Sequence, residues 1–520
     1  MKTNVLKTVR IVLATAVFLL GTLFFCDFAH HMPTAWHGLM HIQLVPAVLS
    51  GSIVILIALF LLAGLFGRIY CSVICPLGIL QDIIARFTRR GKKKNRKKRW
   101  YHYTRPYNAV RYTLLAVCIL GLITGISAPL LYLDPYSNFG RIAVNLFRPV
   151  AIGANNVLNQ IAIQFNNYDF YQITIHTVTT ASLLLALVAL LTVGALAVLR
   201  GRLFCNLICP VGTFLGVISR FALFRIRINS SKCNGCGLCA KACKAECINS
   251  QEHSIDSSRC VACFNCLDRC TKQAISYTPV GTGLNRQPHD TVNQSLTTNK
   301  SRRSFIATST AMVVTLPLLP AWAKGNPPAD ATKLTPVTPP GSRSLQRFKE
   351  KCTACHLCIT HCPMQILKPA GFQFGWEYAF KPHVVFYENA FCNYNCTICT
   401  QVCPNRAIEP LELPEKQITQ IGVAQFDQSL CVVYVDNTSC GACAEHCPVK
   451  AVRMEPYKDS LTLPHMYPEL CIGCGGCESI CPVRPVKAIQ VTPSAVHGTA
   501  VRPQEEEVEQ QKAEDLDFGF

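Results

Sequence analysis

Acidic residues are scarce in this chain: 30 Asp and Glu stand against 50 Lys and Arg in 520 residues, and charged residues of both signs make up only 15%. With half the residues apolar and a mean hydropathy of +0.25, a wholly soluble protein is a poor fit and a membrane portion is expected. The net charge of +20 would suggest nucleic acid if it covered a folded surface. Instead it is concentrated, with ten basic and no acidic residues at 86–99. A single aromatic, Phe87, at its edge is no aromatic-basic interleaving, so nucleic acid is not expected as a partner.

The apolar residues cluster before residue 200, in runs near 9–28, 45–66, 110–131 and 177–199. Each is about the 20 residues that cross a bilayer core as a helix. Basic residues mark one side: Lys2, Lys7 and Arg10, the 86–99 run, then Arg200, Arg202, Arg220, Arg225 and Arg227. The loops at 29–44 and 132–176 hold only Arg141 and Arg148. Since positive loops stay in the cytoplasm, four transmembrane helices with both chain ends inside satisfy the pattern.

A disulfide framework is excluded by length, because disulfide scaffolds are short secreted chains and this one carries 31 cysteines over 520 residues. Their spacing indicates metal. Cys233, Cys236, Cys239 and Cys243 form C-x2-C-x2-C-x3-C, and Cys260, Cys263, Cys266 and Cys270 repeat it. Three thiolates on a tight loop cap three irons of one cube, while the fourth reaches the other cube. The two runs therefore predict a pair of 4Fe–4S clusters, one on Cys233, Cys236, Cys239 and Cys270, the other on Cys260, Cys263, Cys266 and Cys243. A zinc site uses ligand pairs and would leave half of each run idle. Lys244 and Thr271 replace the proline that usually follows the fourth cysteine, and Cys247 competes with Cys243; the spacing favours Cys243.

Four further runs follow: Cys352, Cys355, Cys358, Cys362; Cys392, Cys396, Cys399, Cys403; Cys431, Cys440, Cys443, Cys447; and Cys471, Cys474, Cys477, Cys481. All four end in Cys-Pro. Cys352-Thr-Ala-Cys355-His356 also has the spacing of a c-type haem attachment. A haem there would strand Cys358 and Cys362, and no second CxxCH occurs, so His356 is expected to be a bystander. Four more cubes are expected, six in all, with nested sharing: the first run with the last (Cys481 completing Cys352, Cys355 and Cys358; Cys362 completing Cys471, Cys474 and Cys477), the second with the third (Cys447 and Cys403 exchanged). Cluster binding across such long loops makes metal energy folding energy.

Residues 67–87 and 201–221, GRIYCSVICPLGILQDIIARF and GRLFCNLICPVGTFLGVISRF, are identical at ten of 21 positions with an offset of 134. This internal repeat brings Cys71, Cys75, Cys205 and Cys209 to one side of the membrane, as a further metal or redox site or as packed thiols around a proline turn. At the opposite face, His37 and His41, one helical turn apart beside His30, His31 and Trp36, are candidates for binding a quinone whose oxidation releases protons. Interfacial anchoring explains them as well. Cys26, Cys118 and Cys247 have no assigned task.

Residues 301–323, with Ser301-Arg302-Arg303-x-Phe305, an apolar stretch and Ala321-Trp322-Ala323, read as a twin-arginine signal or a fifth transmembrane helix. The domains expected are a four-helix membrane domain (1–231), a cytoplasmic two-cluster module (232–280), a linker (281–300), the signal or helix (301–323), a proline-rich spacer (324–347), a periplasmic four-cluster domain (348–495) and an acidic tail (496–520). The fold class is thus an α-helical membrane domain with two α+β ferredoxin-like domains.

With these motifs in place, the chain resembles a fusion of two polyferredoxins of bacterial periplasmic nitrate reduction. Residues 1–280 resemble the membrane quinol dehydrogenase subunit, and also the membrane module of the nitrous-oxide reductase regulator; residues 301–490 resemble the periplasmic four-cluster ferredoxin. The resemblance implies a multi-pass protein of the bacterial inner membrane, passing electrons between menaquinol or another quinol and a periplasmic redox partner protein. Two other functions fit the same motifs: an electron-supplying factor for maturation of a periplasmic metalloenzyme, and a membrane redox sensor. No signalling domain is visible to support the last.

Overall fold

The computed structural model describes residues 3–29, 32–89, 100–175, 178–279 and 335–502. The first apolar run is one unbroken helix, α1 (Thr3–Cys26), whose 24 residues reach about 36 Å at 1.5 Å each. The second run is divided into α2 (Leu44–Ser50) and α3 (Ile53–Phe66), because Gly51 turns left-handed at φ 71° and closes the first piece. A short α4 (Tyr70–Val73) and α5 (Pro76–Arg89) follow. The third run is likewise divided, into α6 (Asn108–Ile123) and α7 (Ala128–Leu133), by Gly125 at φ 75° and Pro129 in the first turn of α7. Then come α8 (Pro135–Ile142), α9 (Arg148–Gln164), α10 (Thr180–Arg200) and α11 (Pro210–Ser219).

Among the described residues, two stretches are long and apolar enough to cross a bilayer, Val5–Cys26 and Thr180–Arg200, with mean hydropathies of 2.2 and 2.7. The middle two apolar runs thus differ from the continuous helices expected of them. Their outward faces are still apolar, with Val54 80% and Ile123 76% exposed, an arrangement that water penalises and lipid does not.

Beyond α11 the chain forms small antiparallel strand pairs. Phe224–Ile228 pairs with Ile275–Pro279 and brackets the first cysteine module, so that module begins at 224 rather than 232. In the last domain the main pair is Thr419–Phe426 with Ile489–Thr499. That strand runs past the expected end at 495, and Ala500 N–H still bonds the Ile418 carbonyl at 2.7 Å. The described part of the proline-rich spacer is also built in: residues 336–342 are buried, Val384 N–H bonds Val337 O, and Glu409 N–H bonds Gly341 O. Prolines lack an N–H that burial would strand, which lets such a segment line a core. The expected linker, the twin-arginine segment and most of the basic run and acidic tail lie outside the described residues.

One apolar core runs through all parts and includes cysteines from each. The two cysteine domains meet opposite ends of α1. Near its start, Lys7 Nζ pairs with Asp268 of the first module at 2.7 Å. At its end, the Phe25 carbonyl accepts from Thr360 Oγ1 of the last domain at 3.3 Å.

Candidate metal centres

The cysteine loops share a backbone device. In four runs the residues before and after the second cysteine both have positive φ: Gly235 and Gly237, Ala262 and Phe264, Ala354 and His356, Gly473 and Gly475. Alternating left-handed residues turn successive N–H groups inward, a concavity suited to an anionic group. A second device follows the fourth cysteine, where the third residue on is again left-handed: Glu246, Gln273, Gln365, Arg406 and Lys450. This presents the next N–H to sulfur, as Ala274 to Cys270 and Ala451 to Cys447, each at 3.2 Å. Sulfur accepting backbone N–H bonds is the environment that holds and tunes cluster thiolates.

These features favour Cys243 over Cys247, since Glu246 occupies the turn position counted from Cys243. Cys247 stands where the sister runs have Ala274, Ala407 and Ala451. It is 1% exposed, with its sulfur 3.5 Å from that of Cys243. A cavity beside it is walled by Cys243, Cys247, Cys260, Cys263 and Cys266. Burial pushes the Cys266 thiol well up, and the sulfurs of Cys263, Cys260 and Cys243 push the same way, which places the four together. Cys233 and Cys236 bear likewise on Cys239, and the helix before Cys270 packs on that of Cys239.

In the last domain the structure brings neighbouring runs together, rather than the first with the last and the second with the third. Burial raises the Cys358 thiol most, and the next contribution is the sulfur of Cys403, followed by Cys355 and Cys352. Cys362 instead feels Cys392 and Cys396. The third and fourth runs make the other exchange. Cys477 feels Cys474, Cys471 and Cys447, and one cavity is walled by Cys431, Cys440, Cys443 and Cys481. The physical reason is loop length: runs closer in sequence close a shorter loop at lower entropy. The sets form a row. Cys358 feels Cys399, Cys474 feels Cys392, and Cys477 feels Cys443. The order from the membrane helices outward is therefore the Cys352 set, the Cys392 set, the Cys471 set and the Cys431 set.

The Cys352 set rests on α8. Gly140 meets the Cys355 carbonyl, Ser137 Oγ bonds Thr353 Oγ1 at 2.8 Å, and buried Tyr136 lies within electrostatic reach of Cys355 and Cys403. His356 is 1% exposed and its Nε2 meets the Phe380 carbonyl at 2.9 Å, so it serves packing and is not free to ligate a haem. Burial lowers its pKa to about 3.

The two duplicated corners converge. Arg68 Nη2 reaches Cys71 Sγ at 3.8 Å and the carbonyl of Cys205 at 3.0 Å; Arg202 Nη1 reaches Cys205 Sγ at 3.8 Å and the carbonyl of Cys71 at 2.6 Å. Each repeat thus holds the other's turn. Gly78 and Gly212 admit the crossing, since a Cβ on Gly78 would lie 2.5 Å from both Arg202 Nη1 and the Cys71 carbonyl. From sequence, Arg202 reads only as a marker of the cytoplasmic side and Arg68 has no assigned role, although the shared Gly-Arg opening of the two repeats was a signal for both.

The histidine segment, Thr34–His41, is a 3₁₀ helix. With three residues per turn, positions four apart lie about a third of a turn from each other, so the backbone does not put His37 and His41 on one face. The segment packs on Ile398–Val402, the helix of Cys399.

Comparison with known proteins agrees with these sites. A family described as a 4Fe-4S binding domain matches residues 50–95 and 182–229, the two corners. Two families described as 4Fe-4S dicluster domains match 351–408, and 391–451 with 438–485; another 4Fe-4S binding domain matches 226–249. YccM of Escherichia coli (strain K12), whose name proposes electron transport, is 26% identical over 205 residues, 38% of this chain and 47% of that one. The methylamine utilization ferredoxin-type protein MauM of Methylobacillus flagellatus is 31% identical over 152 residues, 28% of this chain and 62% of its own. The ferredoxin-type protein NapF of Escherichia coli (strain K12) is 29% identical over 139 residues, 26% of this chain and 74% of its own. The chain spans about half the length of YccM. No solved structure matches it. The chain is polyferredoxin-like, related to these ferredoxin-type proteins, and carries several segments that match 4Fe–4S binding families.

Proposed function

We propose that the chain is a membrane-bound electron relay, a quinol dehydrogenase-type component that connects a quinol pool, or a donor on the cytoplasmic side, with a periplasmic redox protein. The observation that carries the reading is the placement of cysteine domains at the two ends of α1. In this reading α1, α3, α6 and α10 are embedded in lipid, with α2 and α7 as the re-entrant ends of the second and third, and the basic run keeps the first module inside. The segment at 301–323 carries the last domain outside.

The residues named above would hold six 4Fe–4S clusters: Cys233, Cys236, Cys239 and Cys270; Cys260, Cys263, Cys266 and Cys243; and the four sets of the last domain. When bound, such clusters supply one-electron transfer. What the chain adds is order and insulation. The outer thiol sets stand in a row, buried or half-buried, and the buried Tyr136 and Arg141 of α8 lie within electrostatic reach of the first of them. The segment of His37 and His41 meets the second set from the membrane, so a quinol bound there would sit beside Cys399.

Purified, cluster-loaded protein in detergent should oxidise a quinol analogue steadily with an artificial acceptor. Reduction that halts after each cluster fills once, and that no acceptor restores, contradicts a relay and favours a maturation factor.

A further inference from the structure

The two corners are matched separately by the 4Fe-4S binding family, yet residues 50–95 hold only Cys71 and Cys75, and residues 182–229 only Cys205 and Cys209. Neither half supplies four ligands. The structure joins them: all four cysteines are buried, and their sulfurs lie within electrostatic reach of one another.

We infer that Cys71, Cys75, Cys205 and Cys209 together ligate one further iron–sulfur cluster, a centre that exists only because both repeats are present and that stands between the inner and outer cysteine domains. Three observations carry this. First, every sulfur has an N–H donor. Arg68 serves Cys71, Gly78 N–H serves Cys75, Gln81 Nε2 reaches Cys205 at 3.2 Å alongside Arg202, and Gly212 N–H reaches Cys209 at 3.3 Å. Thiols that merely pack do not require such a set; cluster thiolates do.

Second, the charge is unbalanced. Asp82 is shared by Arg202, Lys244 and Arg10. Arg68, 0% exposed, bonds only neutral acceptors among the described residues, and its Nε has no partner. The position that corresponds to Asp82 in the second repeat is Gly216, and among the described residues no carboxylate hydrogen-bonds Arg68. Buried cations without counter-charge are costly. A cube with four thiolate ligands is a net anion and removes that cost. No three of these side chains close on a single ion among the described residues, and a cube asks for a wider spacing of sulfurs than one ion does.

Third, the site lies on the way. Arg68 Nη1 bonds the Ser258 carbonyl, two residues before Cys260, at 2.9 Å, and Arg202 N–H bonds the Lys244 carbonyl, next to Cys243, at 3.0 Å. On the other side α5 packs on α8, which carries the contacts to Cys355. Tyr70, beside Cys71 and Cys75, is within electrostatic reach of Asp134 at the start of α8. Tunnelling rates fall exponentially with distance, so a centre here replaces one long step with two shorter ones. A cluster held by these four cysteines would accept one electron from the cluster on one side and pass one to the cluster on the other, with no proton or bond change.

This role rests on the relay reading, but the test does not need turnover. The full chain, isolated without oxygen, should contain about 28 irons and as many acid-labile sulfides, and the Cys71→Ala/Cys205→Ala variant about 24. Cys26→Ala and Cys118→Ala, outside every set, should match the wild type. If the paired variant does not accumulate, Arg68→Gln should keep all the iron while one paramagnetic signal moves to lower potential. A wild type of about 24 irons with no loss in the variant overturns the inference. So does stoichiometric zinc or copper that leaves with these cysteines, or a Cys71–Cys75 disulfide. A protein with the full iron count that fails to oxidise quinol would instead refute the relay alone.

Discussion

Changing Asp82 to Asn tests how the inner cysteine module is fastened to the membrane helices. The carboxylate takes Arg202 through Nε at 2.7 Å and Nη2 at 2.6 Å, binds Lys244 Nζ, and meets Arg10 Nη1 at 3.4 Å. It thereby ties α5 to the second repeat, the first module and α1. Asparagine keeps the shape and removes the charge. Lys244 can relieve itself by losing a proton; Arg202, with no exposed surface, cannot. Breaking a buried pair from one side costs about 3–5 kcal/mol, whereas the more distant Arg10 contact adds at most about 0.5 kcal/mol. About 4 kcal/mol corresponds to nearly a thousandfold change in a local opening equilibrium. Hydrogen exchange reads that opening at the amides of Arg202, which bonds Lys244, and of Glu246, which bonds Cys243. Protection there should fall by about two to three orders of magnitude in Asp82→Asn, and Asp82→Asn/Arg202→Met should recover part of it. A fall of less than about threefold would mean that this ion cluster fastens nothing.

The sharing between neighbouring runs in the last domain predicts that Cys403→Ser perturbs the cluster of Cys352, Cys355 and Cys358, while Cys481→Ser perturbs that of Cys431, Cys440 and Cys443; paramagnetic spectra with the reverse pattern would restore the nested arrangement. At the fifth thiol, Cys247→Ala should retain the inner cluster, Cys243→Ala should retain it with an altered spectrum because Cys247 stands 3.5 Å away, and the double variant should lose about four irons; loss of the cluster in Cys247→Ala alone would make Cys247 the native ligand. Burial lowers the pKa of His356 to about 3 and of His383 to about 4. Both are neutral when folded but take a proton when unfolded below about 6.5, so stability is full above that pH and is lost as pH falls toward 4, by about 2 kcal/mol per histidine at pH 5. Burial likewise lowers the pKa of His497 to about 4, so denaturation of the last domain followed by visible absorbance should show the slope of all three, His383→Leu should remove about a third of it, and a flat profile from pH 7.5 to 5 would refute it.

The cysteine runs were legible because cluster ligation fixes spacing along a few residues, and the loops at Cys236 and Cys263 have the turns that spacing demands. Which run completes which cluster was not, since it depends on loops whose closure sequence spacing does not display. Hydropathy located four apolar runs, but Gly51 and Gly125 divide two of them, a local backbone effect that a window average hides. The proline stretch before residue 343 was read as a spacer from composition, and it packs because Val337 and Thr338 between the prolines are apolar or find partners. The corner cysteines were visible as a repeat; that Arg68 and Arg202 cross between halves emerged only from the packing.

The most direct test of the account is a count of iron and acid-labile sulfide in anaerobically prepared membranes, with a paramagnetic resonance redox titration of the same sample. At least about 24 irons per chain, matched by sulfide and appearing as several interacting one-electron signals on reduction, is the result expected. Colourless, iron-free protein with its cysteines oxidised in pairs would contradict it.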